Sequence, residues 1–450
     1  MRPTPTLVLL ALALAPAFGG ATSYGADPPR PSAEGLPAFQ APAEPPSEDA
    51  AAPPPVVEPE GPLSLYDAFS LALLHNPGLA SFSWEVRASE ARAVQAGKAR
   101  NPELELRFTR LSLNNDDPTD DDVGRRVIVR QELELGGERA RREDVARAER
   151  TLAERDYEAK RDEVASVVAM RFVALLGAQR RTAEIEQALE FGERAREQVA
   201  KLVETGAVAG LENHRSQQQV ALLRMDLDGA RADRDAARLA VAATWASSSP
   251  RFSEAVGDLE RITELPELET VLALARRSPA VGRSDIDIER AHSALRLAKA
   301  GRVPDLTVGA GLRWDDSNNG QDYLFELEFD LPLFDRNQGA VLEGRNNVAK
   351  AQAARAAAEI ETVEAVSELY HASRAAAARA VTLRDEVLPA ARAALETVRI
   401  GFEGNAETPD NLFDALRDLA RAEVDYAEEL VKHQQLLAML EGLLGQPLPD

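Results

Sequence analysis

The side chains that could do chemistry in this chain are few and scattered. Five histidines stand singly at positions 75, 214, 292, 371 and 433, and there is no cysteine. Without cysteine there is no disulfide, thiolate metal site, cysteine nucleophile or lipid-bearing N-terminal cysteine. No HExxH spacing puts two imidazoles on one helix face, no GxxxxGK[ST] loop cradles phosphate, and no GxSxG elbow presents a serine. Adjacent carboxylates such as Glu428 and Glu429 sit in charge-rich helical sequence, where they read as solvated faces. His433 falls in a leucine stripe and is expected to be a packed or interface histidine. The acidic stretches NNDDPTDDDVG and DDSNNGQ lack the glycine and terminal-glutamate spacing of a calcium loop and read as solvated loops. No catalytic, cofactor-binding or metal-ligating residue is therefore expected, and the chain does not read as an enzyme.

The elements around these residues are long helices. Alanine, leucine, arginine and glutamate dominate the 450 residues, aromatics are 5%, and the formal charge is -23. That mixture favours long helices and coiled coils, and the acidic balance argues against a broad nucleic-acid contact. At the N-terminus, Arg2, an apolar run from Leu7 to Phe18 and then Gly19, Gly20 and Ala21 read as a signal peptide over 1–21, cleaved within 21–26. Residues 27–62, rich in Pro, Ala and Glu, are expected to be a flexible, extended leader.

The remainder is duplicated. HNPGL at 75–79 recurs as RSPAV at 277–281, and RNPELEL at 100–106 recurs as GRVPDLTV at 301–308; Pro77 and Pro279 keep the same offset as Pro102 and Pro304. A fixed period of this kind signals an internal repeat. The first repeat is placed at 63–260, with strands at about 103–113 and 125–135, and the second at 261–450, with strands at about 305–314 and 322–331. Each repeat runs helix, strand, polar loop, strand, very long helix, turn, long helix. The first long helix, from Glu138 to Val203, would extend roughly 100 Å at 1.5 Å per residue. A seven-residue spacing runs through Leu175, Ala178, Thr182, Ile185, Leu189, Gly192, Val199 and Val203, whose small members let neighbouring helices approach.

The strands alternate charge with apolar residues. Leu306, Val308, Ala310, Leu312 and Trp314 share one face, and so do Tyr323, Phe325, Leu327, Phe329 and Leu331; Arg313, Glu326, Glu328 and Asp330 lie on the other. Segments of about ten residues with this alternation and aromatics beside the connecting loop are the pattern of membrane β-barrel strands. Leu306, Val308, Trp314, Tyr323, Phe325, Leu327 and Phe329 are the expected lipid-facing residues. Four strands cannot close a barrel, and an open sheet edge is not tolerated in lipid, so association is required. QELELGGERARR, a strand passing straight into a helix, would let such a barrel stand on a helical tube.

Together these features make the chain resemble the TolC family of outer-membrane efflux channels over nearly everything after residue 62. ELELGGERARR and LPLFDRNQGA look most like the CzcC-type, heavy-metal branch. The resemblance implies a fold that is mainly α with membrane β. Three chains would form a homotrimer, each lending four strands to a twelve-stranded barrel in outer-membrane lipid and its helices to a periplasmic α-barrel. It implies passive conduction from periplasm to exterior, with a periplasmic adaptor (membrane fusion) protein and an inner-membrane pump of the RND type as partners. The helix-to-helix turns that meet the adaptor would be Gly206, Ala207 and Val208 in the first repeat and Asn405 and Ala406 in the second. The family's gate aspartates correspond to Asn411 and Asp414. Phe402 stands where the family has tyrosine, Glu407 where it has arginine and Glu212 where it has aspartate, so a closed state would rest on different contacts. Alternative cargoes are drugs or secreted protein, and the alternative class is a soluble periplasmic coiled-coil scaffold.

Overall fold

A computed structural model describes residues 33, 35–45, 56–109, 124–315, 320–404 and 406–449. The signal-peptide reading, the start and middle of the leader, the end of the first strand beyond 109, most of both acidic loops and Asn405 lie outside the described residues.

In chain order the elements are β1 (Leu63–Ser64), α1 (Leu65–His75), α2 (Pro77–Ala96), β2 (Glu103–Thr109), β3 (Gly124–Leu133), α3 (Glu138–Glu204), α4 (Gly210–Ala242), β4 (Ala255–Val256), α5 (Leu268–Ala275), α6 (Pro279–Ala300), β5 (Leu306–Asp315), β6 (Gly320–Phe329), α7 (Gln338–Thr382), α8 (Leu388–Glu403) and α9 (Pro409–Leu444). The order is the duplicated one. The recurring motif around Pro77 and Pro279 is a helix start: Asn76 Oδ1 accepts the Leu79 N–H and Ser278 Oγ accepts the Val281 N–H, each just before a proline at the first helical position. Proline is favoured there because its missing N–H would have no helical partner.

The strand-to-helix joints share the same kind of cap. Gly137 (φ 72°) caps α3 and Asn337 (φ 55°) caps α7, both in the left-handed region. One left-handed residue redirects the extended chain into the helix, and only glycine or asparagine does this cheaply. From Gly137 α3 runs for 67 residues. The predicted seam is real: Leu175, Thr182, Ile185, Gly192 and Val199 are buried. A Cβ at Gly177 would stand 2.2 Å from Val431 of α9, so glycine sets that helix spacing. On α9, Leu412, Leu416, Tyr426, Leu430, Leu437, Leu440 and Leu444 are buried. The corresponding long helix of the second repeat is not uniform: a π turn, Leu383–Val387, separates α7 from α8 just before Pro389. Proline removes an i→i−4 hydrogen bond, and the wider turn accommodates the loss.

The four long strands form one antiparallel sheet in the order β2-β3-β5-β6. Leu133 pairs with Leu306 and Leu306 with Phe329, so the pairing ends level across three strands. Consequently β3 stops two residues before the expected 135 and β6 two before 331. Glu134 has no strand partner and instead accepts from Arg142 in the first turns of α3, at 2.5 Å. No helix among the described residues is long and apolar enough to cross a membrane.

Within the leader, the described residues 36–45 and 56–62 form no helix or strand and are seated on the bundle. The Phe39 N–H donates to Leu73 O (2.9 Å) and Tyr157 Oη to Phe39 O (2.6 Å); Ala41 is buried between Ser83 and Arg87, which bond its N–H and carbonyl. Glu58 is buried, accepting from Trp245 Nε1 (2.8 Å) and the Arg251 N–H (2.7 Å). A polar, proline-rich composition hid these contacts because they are made mostly by backbone groups. The link between repeats is pinned in the same manner. His433 is fully buried, its Nε2 accepts the Thr263 N–H (3.2 Å), and its Nδ1 faces Ser373. That is the packed role expected of it.

Candidate functional site: the sheet wall and the hairpin tips

Register decides what each face of the sheet carries. Leu306, Val308, Ala310 and Leu312 stand opposite Phe329, Leu327, Phe325 and Tyr323, and Val127 and Val129 continue the rows through β3 to Leu106 and Leu104 of β2. All seven residues expected to face lipid therefore share one side. Tyr323, Phe325 and Leu327 are 75%, 82% and 74% exposed in the single chain. Leu306, Val308 and Trp314 are half-buried among their neighbours. A contiguous apolar surface of this kind, on a sheet whose β2 and β6 edges are open among the described residues, calls for a non-aqueous neighbour and for edge partners.

The opposite face is a charge lattice that sequence reading only partly anticipated. Arg130 bonds both Glu105 on β2 and Glu326 on β6, the latter at 2.7 Å, across the whole of β5. It can reach because β5 has glycine in between: a Cβ at Gly309 would lie 3.3 Å from both Arg130 and Glu326. Gly311 is more restrictive, since a Cβ there would stand 2.3 Å from Val127 O and 2.6 Å from buried Ile128. Arg126 lies within 3.8 Å of Glu105 and 3.9 Å of Glu326. The alternating charge was visible in the sequence, whereas the cross-strand pairing required the register.

The hairpin tips lie far along the helices from the sheet. At the first, Gly206 (φ 72°) follows α3, its N–H donates to Val203 O, and the Ala207 and Val208 N–H groups donate to Leu202 O. This is a Schellman closure, which requires a left-handed residue at the Gly206 position. At the second tip the Ala406 N–H donates to Gly401 O (2.7 Å), the same five-residue span as Ala207 to Leu202.

Around the tips the sequence-derived gate residues separate into different environments. Phe402 is buried with Val199, Val220, Leu412, Phe413 and Leu416, so it is core and not a free polar link. Glu407 accepts from Asn411 Nδ2 at 2.7 Å. Asp414 is exposed and ion-paired with Arg417 one turn on, at 2.6 Å. Asn411 and Asp414 line one open groove of about 740 Å³ between α8 and α9, together with Asp418, Glu386 and several alanines. Glu212 is held by Arg215 (3.2 Å), and Arg215 also pairs with Asp410 of the second hairpin at 2.5 Å. Arg215 and Asp410 were missed because nothing in a linear sequence marks a pair 195 residues apart. Among the described residues no group of three or more His, Cys, Asp or Glu could hold a metal ion.

The architecture matches known proteins. The family model described as outer membrane efflux protein fits residues 68–247 and 271–446, one stretch in each repeat. The chain belongs to the outer membrane efflux protein family. Among its relatives, the cobalt-zinc-cadmium resistance protein CzcC of Cupriavidus metallidurans is 28% identical over 391 residues, 86% of this chain and 91% of that protein. The nickel and cobalt resistance protein CnrC of the same organism is 26% identical over 315 residues, 68% of this chain and 72% of its own length. In fold, the chain superposes on the crystal structure of CusC with a TM-score of 0.74 at 15% identity, covering 91% of this chain and 99% of that one. The Neisseria gonorrhoeae MtrE outer membrane channel gives 0.71 at 17% identity, over 85% and 89%. As an outer membrane efflux protein, this chain is a duct and not an enzyme, which accounts for its scattered histidines and charged, non-catalytic faces.

Proposed function

We propose that three copies of this chain close a twelve-stranded barrel in the outer membrane, standing on a periplasmic α-barrel, and conduct heavy-metal cations outward. The observation that carries the proposal is the four-stranded sheet: one face is apolar and exposed, the other holds ion pairs across its strands, and both edges are open. Lipid takes the first face, a water-filled lumen takes the second, and neighbouring copies take the edges. Leu306, Val308, Trp314, Tyr323, Phe325, Leu327 and Phe329 face lipid. The tips, at Gly206, Ala207 and Val208 and at Asn405 and Ala406, dock a periplasmic adaptor protein, which links the duct to an inner-membrane pump of the RND type. Asp414, beside Asn411, narrows and charges the inner end of the tube. Metal cargo is supported by relatives named for cobalt, zinc, cadmium and nickel resistance.

Disrupting the gene and restoring it from a plasmid tests the cargo. Sensitivity to cobalt, zinc or cadmium that is relieved by the wild-type chain is the expected result. Unchanged metal tolerance with new sensitivity to organic drugs would assign the duct to drug efflux.

A further inference from the structure

The two strand-to-helix joints differ in length. β3 ends at Leu133 and the cap of α3 is Gly137, whereas β6 ends at Phe329 and the cap of α7 is Asn337. The shorter connection is enough to redirect the chain, so the longer one has something else to do. It carries Leu331, Pro332, Leu333 and Phe334, with Leu331, Leu333 and Phe334 exposed by 68%, 63% and 91%. Pro332 has no N–H for the ladder, and the Leu333 N–H donates to Leu331 O at 2.8 Å, folding the chain tightly back.

Three carbonyls of this turn, those of Leu331, Leu333 and Phe334, are bonded by the turn itself and by the first residue of α7. Arg336 donates to Leu333 O (3.4 Å) and Gln338 Nε2 to Phe334 O (3.1 Å). Gln338 Oε1 accepts the Arg336 N–H (2.7 Å), and Asp335 Oδ1 accepts the Asn337 N–H (2.9 Å). Such bonds form in water-exposed turns too, and they also suit a turn entering lipid, because no solvent is there to bond a free carbonyl. The apolar run also continues the exposed Phe325, Leu327 and Phe329 row of the same strand. We propose that 331–334 is a wedge inserted among phospholipid acyl chains at the periplasmic boundary of the outer membrane, one per chain, present in the second repeat and not in the first. It fixes the height of the barrel in the bilayer. The proposal rests on the reading that the Phe325, Leu327 and Phe329 face meets lipid.

The absence of native cysteine makes a direct test available. Phe334→Cys, Leu327→Cys and Ala207→Cys, each bearing an environment-sensitive fluorophore, are reconstituted in phosphatidylethanolamine and phosphatidylglycerol vesicles. They are then challenged with spin-labelled lipid or aqueous iodide; Leu333→Cys replaces Phe334→Cys if the latter assembles poorly. The wedge predicts that the label at 334 loses fluorescence most to a spin label near the headgroups. The label at 327 should respond to lipid quenchers and the label at 207 to iodide alone. Lipid quenching at 327 with only iodide quenching at 334 overturns the wedge. Shielding of 334 from both quenchers also overturns it and assigns the turn to a neighbouring copy. No lipid quenching at 327 removes the lipid-facing reading and the wedge with it.

Discussion

Asp414 shows how a neighbouring residue changes what a charge can do. Its carboxylate is shared with Arg417, and an exposed pair of this kind contributes only about 0.2–1 kcal/mol, so the arginine can release it at little cost. In planar-bilayer recordings Asp414→Asn should weaken cation preference and block by multivalent cations with assembly intact, whereas Arg417→Ala should strengthen both. Unchanged selectivity in both variants would remove Asp414 from the gate. Glu58 makes a pH-dependent link at the same scale. Burial pushes its carboxyl up, but hydrogen bonds from Ser247, Trp245 and the Arg251 backbone outweigh burial and leave its pKa below the ordinary 4.5. A carboxylate held low in the folded state contributes stability above its unfolded pKa, and loses that contribution as pH falls through the folded value. Amide hydrogen exchange in 56–62 should therefore speed up as pH drops below the ordinary carboxylate range, beyond the intrinsic pH trend. Glu58→Gln should show the faster exchange already at neutral pH.

The strands and the joints are the elements where the account is most exposed to mutation. An arginine in place of Phe325 should cost about 2–4 kcal/mol if that position lies near the bilayer midplane, and it should impair assembly; Glu328→Arg, on the opposite, charged face, should assemble and, if that face lines a lumen, alter ion selectivity. Equal tolerance of the two, read as heat-resistant oligomer on a gel, would defeat the assignment of faces. Much of this was legible beforehand because strand alternation has period two: Phe325, Leu327 and Phe329 could only share a face. The seam of α3 and the stripe of α9 were legible for the analogous helical reason. What was not legible depended on partners. Strand ends were set by where Leu306 begins its pairing, not by the alternation of Glu134 and Leu135. The π turn before Pro389 interrupts what the repeat order reads as one very long helix. The reach of Arg130 to Glu326 depends on Gly309, which looks like a strand-weakening residue until the register is known.

At the scale of the whole molecule, duplication gives each chain two tips and a sheet assembled from both repeats, since β3 of the first pairs with β5 of the second. If the tips dock an adaptor, bulky substitutions at Ala207 and Ala406 should abolish efflux while oligomers still form; loss of oligomers would mean that the tips serve folding instead. The contacts of Phe39 and Ala41 and the Arg215 to Asp410 pair escaped sequence reading because both join segments distant in the chain through backbone groups or single charges. Assembly is the claim on which the duct depends, because a four-stranded sheet with open edges has no place in lipid by itself. Native mass spectrometry of the protein extracted from isolated outer membranes tests it most directly. Three chains of four strands each make a twelve-stranded barrel, so the account predicts a species with three times the mass of the mature chain. A monomer recovered from the soluble periplasmic fraction, with none in the outer membrane, would contradict it.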